Sequence, residues 1–82
     1  MAAAPIEVRA DEFDDAGCEP MMLFWYLNAG DPVVEGQDLC EVESAKAVVV
    51  VTAPAEGTLS EILVGEGEAV KSGQVLGLIQ PA

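Results

Sequence analysis

The side chain in this 82-residue chain that is most suited to covalent chemistry is the amine of Lys46, one of only two lysines. It follows Glu43 and Ser44 and stands between Ala45 and Ala47. A lysine ε-amine is a common target for covalent modification, because it is a compact nucleophile on a flexible stem. Lys46 is therefore the candidate attachment point.

Lys46 lies between the two copies of an internal repeat. Residues 30–43 align without gaps with residues 67–80, at an offset of 37 residues. The matched residues are Gly30 with Gly67, Val33 with Val70, Gly36-Gln37 with Gly73-Gln74, Leu39 with Leu76, and Val42 with Ile79. A duplicated β unit with a lysine at its junction indicates a small scaffold that holds one amine out to be modified.

Composition argues against several functional classes. The chain has no histidine, so Ser-His and Cys-His mechanisms and histidine metal sites are excluded, and we expect no metal site. A net charge of −12 repels nucleic acid and anionic membranes, so we expect neither as a partner. We read Cys18 as a reduced thiol in a loop and Cys40 as a small core residue. We expect a cytoplasmic protein, or one of the mitochondrial matrix if the source is eukaryotic.

Glycines and prolines divide the chain into short segments, which predicts an all-β fold in one domain over residues 1–82, with its core at about 5–80. Strands are predicted at 6–9, 21–28, 38–43, 47–53, 58–64 and 75–80, with a surface loop at 11–20. The continuous apolar run at 21–27 predicts burial on both faces of the second strand. Leu39 and Val42 cannot both face inward on strict alternation, nor can Leu76 and Ile79, which predicts either a β-bulge or a twisted strand shared between the sheets.

The lysine segment is predicted to form a tight hairpin with Ala45 and Lys46 as its central residues. This register pairs Glu43 with Val48, Val42 with Val49, and Cys40 with Val51, and it gives Val42, Val49 and Val51 one buried face. Neither alanine nor lysine favours the positive φ of a type I′ turn, so we predict a type I turn.

Residues 19–80 resemble the biotinyl/lipoyl carrier domains. The resemblance rests on Trp25, Gly30-Asp31, Val33, Gly36-Gln37, Leu39, Val42-Glu43-Ser44, Lys46-Ala47, Ala53-Pro54, Gly57, Gly67, Val70 and Gly73-Gln74. It implies a flattened barrel of two four-stranded sheets related by pseudo-twofold symmetry. It also implies that the modified lysine lies on a hairpin at one end and the termini lie at the other.

The flanking residues favour lipoate over biotin on Lys46. Biotin carriers typically have methionine on both sides of the lysine, whereas lipoyl domains typically read Asp-Lys-Ala after Glu-Thr or Glu-Ser. This chain departs from the lipoyl pattern at Ala45, where the acid is usual. The resemblance implies that Gly30, Glu43, Ser44, Ala45 and Ala47 govern recognition by a lipoate ligase or lipoyl transferase.

The function implied by the resemblance is that of a swinging-arm carrier in a 2-oxo-acid dehydrogenase complex, which is not itself an enzyme. The implied partners are a thiamin-dependent dehydrogenase, an acyltransferase and a flavin-containing dihydrolipoyl dehydrogenase. Two alternatives remain open at this point. One is a biotin carrier of a carboxylase, and the other is an unmodified, lipoyl-like structural adaptor.

Overall fold

Short, strongly apolar segments separated by glycine turns fold into strands in the computed structural model, which describes residues 4–10, 20–44, 47–71 and 73–81. The strands are β1 (Ile6–Arg9), β2 (Met21–Trp25), β3 (Pro32–Val33), β4 (Asp38–Glu43), β5 (Val48–Thr52), β6 (Gly57–Ile62) and β7 (Val75–Pro81). Within the described ranges, no helix is long and apolar enough to cross a bilayer. Most of the predicted loop, Cys18, Ala45 and Lys46 lie outside these ranges.

The strands form two antiparallel sheets, which confirms the predicted all-β class. The four-stranded sheet has the order β1-β7-β6-β3, and the three-stranded sheet has the order β2-β4-β5. The expected fourth strand of the second sheet is reduced to a single bridge between Met21 and Ala69. Backbone hydrogen bonds extend this contact, with Gly67 donating to Met22 and Val70 donating to Pro20. The outer edge of β2 is therefore covered.

The internal repeat is present in the backbone hydrogen bonds as well as in the amino-acid sequence. Tyr26 N–H donates to the Leu39 carbonyl at 2.8 Å, and Leu63 N–H donates to the Leu76 carbonyl at 2.9 Å. Each donor and each acceptor in the second bond lies 37 residues after its counterpart in the first. The structure therefore has the predicted pseudo-twofold repeat.

The predicted bulges are present at equivalent positions. The β4–β5 register shifts between Asp38 and Cys40, so Leu39 has no paired residue on β5. The β1–β7 register pairs Gly77 and then Val75, which skips Leu76. A bulge reverses the side-chain alternation, so both leucines reach the interior. Their side chains, and those of Val42 and Ile79, are fully buried.

The core lies between the two sheets and takes residues from both repeats. Its largest fully buried side chains are Met22, Leu39, Leu59, Leu76 and Ile79. Cys40 belongs to this core, as predicted, and burial raises the pKa of its thiol to about 12. A thiol with a pKa this high stays protonated at neutral pH, so Cys40 is a packing residue rather than a nucleophile.

Two sequence-based expectations were wrong. Strand β2 is not buried on both faces, because Met22 is fully buried while Met21 and Phe24 are exposed. A bulge between Met22 and Phe24 places these two exposed residues on the outer side of the sheet. The second concerns Pro32–Val33, which no predicted strand includes but which forms β3 against β6.

Candidate functional site

Strands β4 and β5 form the hairpin that brackets the lysine segment. Glu43 pairs with Val48 and Val42 pairs with Val49, as the sequence predicted. The predicted pairing of Cys40 with Val51 is also present. Val42 and Val51 are buried and Val49 is half-buried, so the hairpin is fixed to the core by one face. The turn type and the predicted exposure of the Lys46 amine fall on residues that the structure does not describe.

Among the described residues, Ser44 closes the hairpin by hydrogen bonds with Ala47. Its backbone N–H donates to the Ala47 carbonyl at 2.8 Å, and its hydroxyl donates to the same oxygen at 2.8 Å. The Ala47 N–H in turn donates to the Ser44 hydroxyl oxygen at 3.3 Å. These bonds satisfy the backbone N–H groups of both residues and the carbonyl of Ala47. The sequence named Ser44 and Ala47 as recognition residues, and the structure gives them a closing role.

Replacing Ser44 by alanine should therefore loosen the hairpin. Two side-chain hydrogen bonds are lost while the backbone bond to Ala47 remains. We expect a loss of about 0.5–1 kcal/mol in the free energy of unfolding, because the bonds are exposed to water. Urea denaturation of Ser44→Ala against Ser44→Thr, which keeps the hydroxyl, measures this effect. Equal stability of the two variants would contradict the closing role.

Glu43 lies at the end of β4, directly before Ser44, and its side chain is exposed as predicted. Its cross-strand neighbours are Met21 on β2 and Val48 on β5. Both neighbours are exposed, so the carboxylate stands between two apolar side chains on the outer face of the sheet. A protein that approaches the hairpin therefore meets Glu43 together with an apolar surface.

The structure places Gly30 in a different part of the molecule. Its backbone N–H donates to the Leu59 carbonyl of β6 at 2.6 Å, whereas the hairpin belongs to the other sheet. Gly30 has a φ of +100°, a conformation that residues with a Cβ rarely adopt. It therefore shapes the turn before β3, and the structure does not bring it together with Glu43. Its role in ligase recognition stays a prediction.

Tyr26 and Glu41 are additions that the sequence reading missed. The Tyr26 hydroxyl donates to a Glu41 carboxylate oxygen, and this hydrogen bond to a carboxylate raises the pKa of Tyr26 to about 12. The Tyr26 ring also meets Phe24 edge-on, with ring centroids 5.0 Å apart. Residues 24 and 26 are two apart, the spacing of side chains on one face of a strand. All residues at 21–27 are apolar, so this spacing did not single them out.

Comparison with known proteins adds to this geometry. Residues 13–79 match the family model described as biotin-requiring enzyme, which covers the biotin and lipoyl attachment domains. The chain is 32% identical over 72 residues to the dihydrolipoyllysine-residue succinyltransferase component of the 2-oxoglutarate dehydrogenase complex of Azotobacter vinelandii. That alignment takes in 88% of this chain and 18% of the relative, so this chain spans about a fifth of that protein's length.

Solved structures share the fold. The lipoyl domain of the 2-oxoglutarate dehydrogenase complex from Azotobacter vinelandii superposes with a TM-score of 0.73 at 30% identity, over 98% of this chain and all of that domain. The urea carboxylase of Kluyveromyces lactis superposes with a TM-score of 0.80 at 20% identity, over 96% of this chain and 6% of the carboxylase. The second likeness shows the fold alone.

Proposed function

Because this chain belongs to the biotinyl/lipoyl family of carrier domains, we propose that it carries lipoate, amide-linked to the Lys46 amine. Domains of this type are non-catalytic. The observation that carries the proposal is the hairpin closed by Ser44 and Ala47, which lies within a match extending over the whole of a solved lipoyl domain. When bound, the dithiolane supplies redox chemistry and a thiol that accepts acyl groups.

The residues around position 46 fit a tethered group that must reach other proteins. Glu43, Ala47 and Val48 are exposed, so the described surface leaves this end of the sheet open. The buried face of the hairpin, with Val42 and Val51, fixes to the core the two strands that flank the attachment segment. A fixed base with an exposed arm serves several active sites in turn, at the high effective concentration that tethering gives.

Lipoate is favoured over biotin by sequence similarity, since the solved lipoyl domain is 30% identical and the urea carboxylase 20% identical. Ala45 and Ala47 also lack the methionines that typically flank biotinylated lysines. We infer that the partners are a lipoate ligase or lipoyl transferase and the dehydrogenase, acyltransferase and dihydrolipoyl dehydrogenase components of a 2-oxo-acid dehydrogenase complex.

Parallel modification reactions test which group is accepted. The chain is incubated with lipoate, ATP and a lipoate ligase, and separately with biotin, ATP and a biotin ligase. Intact mass then reports the product of each reaction. We expect addition of one lipoyl group and no biotinyl group. A biotinylated product without lipoylation would favour the carboxylase carrier, and no modification in either reaction would favour the structural adaptor.

Glu43 is expected to govern recognition by the ligase with little effect on stability. Its carboxylate is exposed beside the hairpin, and no core contact depends on it. Glu43→Ala should therefore lose lipoylation while its melting temperature stays nearly unchanged. Initial rates of lipoylation, measured by mass, and thermal unfolding check both parts. A variant modified at the wild-type rate would refute this role.

Ala45 is expected to limit reductive acylation by a pyruvate or 2-oxoglutarate dehydrogenase component. The lipoyl pattern has an acid at this position, so one contact with the dehydrogenase is missing here. A type I turn accepts aspartate as readily as alanine, so Ala45→Asp should leave the hairpin intact. We expect faster acylation of lipoylated Ala45→Asp than of wild type at equal modification. Equal rates would show that residue 45 does not set the rate.

A further inference from the structure

The outer face of the three-stranded sheet exposes more large apolar side chains than a solvated sheet requires. It carries two apolar columns. The first is Met21, Phe24 and Tyr26, along β2 and just beyond its last residue, and the second is Val48 and Val50, along β5. Their relative exposures are 39% for Met21, 38% for Phe24, 46% for Tyr26, 49% for Val48 and 40% for Val50. Exposed apolar side chains grouped on one face in this way indicate an interaction site.

Two carboxylates run between these columns. Glu41 pairs with Phe24 on one side and Val50 on the other, and Glu43 pairs with Met21 and Val48. Within the described part of the chain, the ion pair is the one between Arg9 and Glu7, on the other sheet. The described residues therefore give Glu41 and Glu43 no cationic partner.

The pseudo-twofold repeat supplies an internal comparison. The row Phe24–Glu41–Val50 corresponds to the row Glu61–Leu78–Glu7 of the four-stranded sheet. The polarity is reversed, with acids at the flanks and a half-buried leucine at the centre. The same fold thus accepts glutamate at the positions of Phe24 and Val50. The apolar columns are not required by the barrel.

We propose that the outer face of the three-stranded sheet is the docking surface for the thiamin-dependent dehydrogenase component, which presents basic side chains flanked by apolar ones. This deepens the proposed function and rests on it. The partner's cations pair with Glu41 and Glu43, and its apolar side chains cover the columns formed with Met21, Phe24 and Val50. Charge complementarity directs the encounter, while apolar burial supplies affinity.

The position of this face fits that partner. Glu43 and Val48 are the last paired residues before the hairpin closure at Ser44 and Ala47, so the face is continuous with the attachment segment. An enzyme seated on the face is therefore beside the strand ends that flank the attachment segment. The contact must also be released at each turnover, which suits a small and partly charged interface.

Methyl NMR tests the docking surface without depending on lipoylation. Unmodified and lipoylated domains, labelled at methionine, valine and leucine methyls, are titrated with purified pyruvate and 2-oxoglutarate dehydrogenase components. We expect shifts or broadening at Met21, Val48 and Val50 with at least one enzyme, and none at Leu63 or Leu78. Changes confined to the second set, spread equally over both sets, or absent with both enzymes would overturn the proposal.

A matched pair of double variants tests the energetics. Phe24→Glu with Val50→Glu copies the polarity of the equivalent row, and Thr58→Glu with Leu63→Glu adds the same charge at exposed positions elsewhere. We expect the Kd measured by NMR to rise by about tenfold or more in the first double variant and by less than about twofold in the second. Similar losses in both would show a general charge effect and overturn the docking surface. Failure of lipoylation in wild type would instead count against the proposed function alone.

Discussion

Gly57→Ala is expected to destabilise the domain by about 3 kcal/mol or more, a large share of the roughly 4–12 kcal/mol that a chain of this size has. Gly57 begins β6, where it pairs with Pro81 of β7. A Cβ at this position would lie 2.1 Å from the Gln80 carbonyl oxygen and 2.9 Å from the Ile79 side chain. The backbone of β7 would have to move, and β7 is central in its sheet.

Gly67→Ala is the matched control for this substitution. Gly67 has a φ of +84°, but no atom lies within 4 Å of the Cβ that alanine would add. Only the backbone conformation opposes the change, at a cost of about 1–2 kcal/mol. Urea denaturation midpoints of the two variants and the wild type measure the difference. A Gly57→Ala domain as stable as Gly67→Ala would show that β6 and β7 can separate at low cost.

Lys46→Arg is expected to abolish lipoylation completely while the domain stays folded. Arginine keeps the positive charge but does not offer the amine that forms the amide bond. Stability should hardly change, because the described anchors of the hairpin are Val42, Val51 and the Ser44–Ala47 bonds. The measurement is intact mass after incubation with lipoate, ATP and ligase, together with a thermal unfolding curve.

Lys71→Arg is the control for the modification site. Lys71 is exposed, and its backbone N–H donates to the Gln74 side chain at 2.8 Å in the turn before β7. Exposure of a lysine is therefore not expected to be sufficient for modification. The Glu-Ser-Ala-Lys-Ala sequence around Lys46 distinguishes the two lysines, so Lys71→Arg should be lipoylated as fully as wild type. Lipoylation retained in Lys46→Arg would overturn the site assignment.

The hairpin register and the bulges could be predicted because they follow from the spacing of apolar residues. A tight turn at positions 45 and 46 allowed only the pairing of Glu43 with Val48, and the structure confirms it. Leu39 and Val42 are three residues apart, an odd spacing that strict alternation cannot bring to one face, and the structure has a bulge there. The repeat doubled this signal, since Leu76 and Ile79 have the same spacing.

The outer face of the three-stranded sheet could be predicted only in part from the same pattern. Residues 21–27 are all apolar, so alternation gave no information on which of them face the core. Only the pairing with β4 shows that Phe24 lies beside Glu41 and away from the interior. The place of Gly30 in the fold could not be predicted either, and its role in ligase recognition stays a prediction. Its distance from Lys46 along the chain does not reveal that it bonds to Leu59 in the other sheet.

The central claim is that Lys46 carries lipoate in the functioning protein. The most direct test is the mass of the peptide that contains Lys46, released by proteolysis from protein isolated from the cells that produce it. We expect the peptide with one lipoyl group on Lys46, located by fragmentation, and the peptide with Lys71 unmodified. A biotinyl group on Lys46, or a Lys46 peptide found only in its unmodified form, would contradict the account.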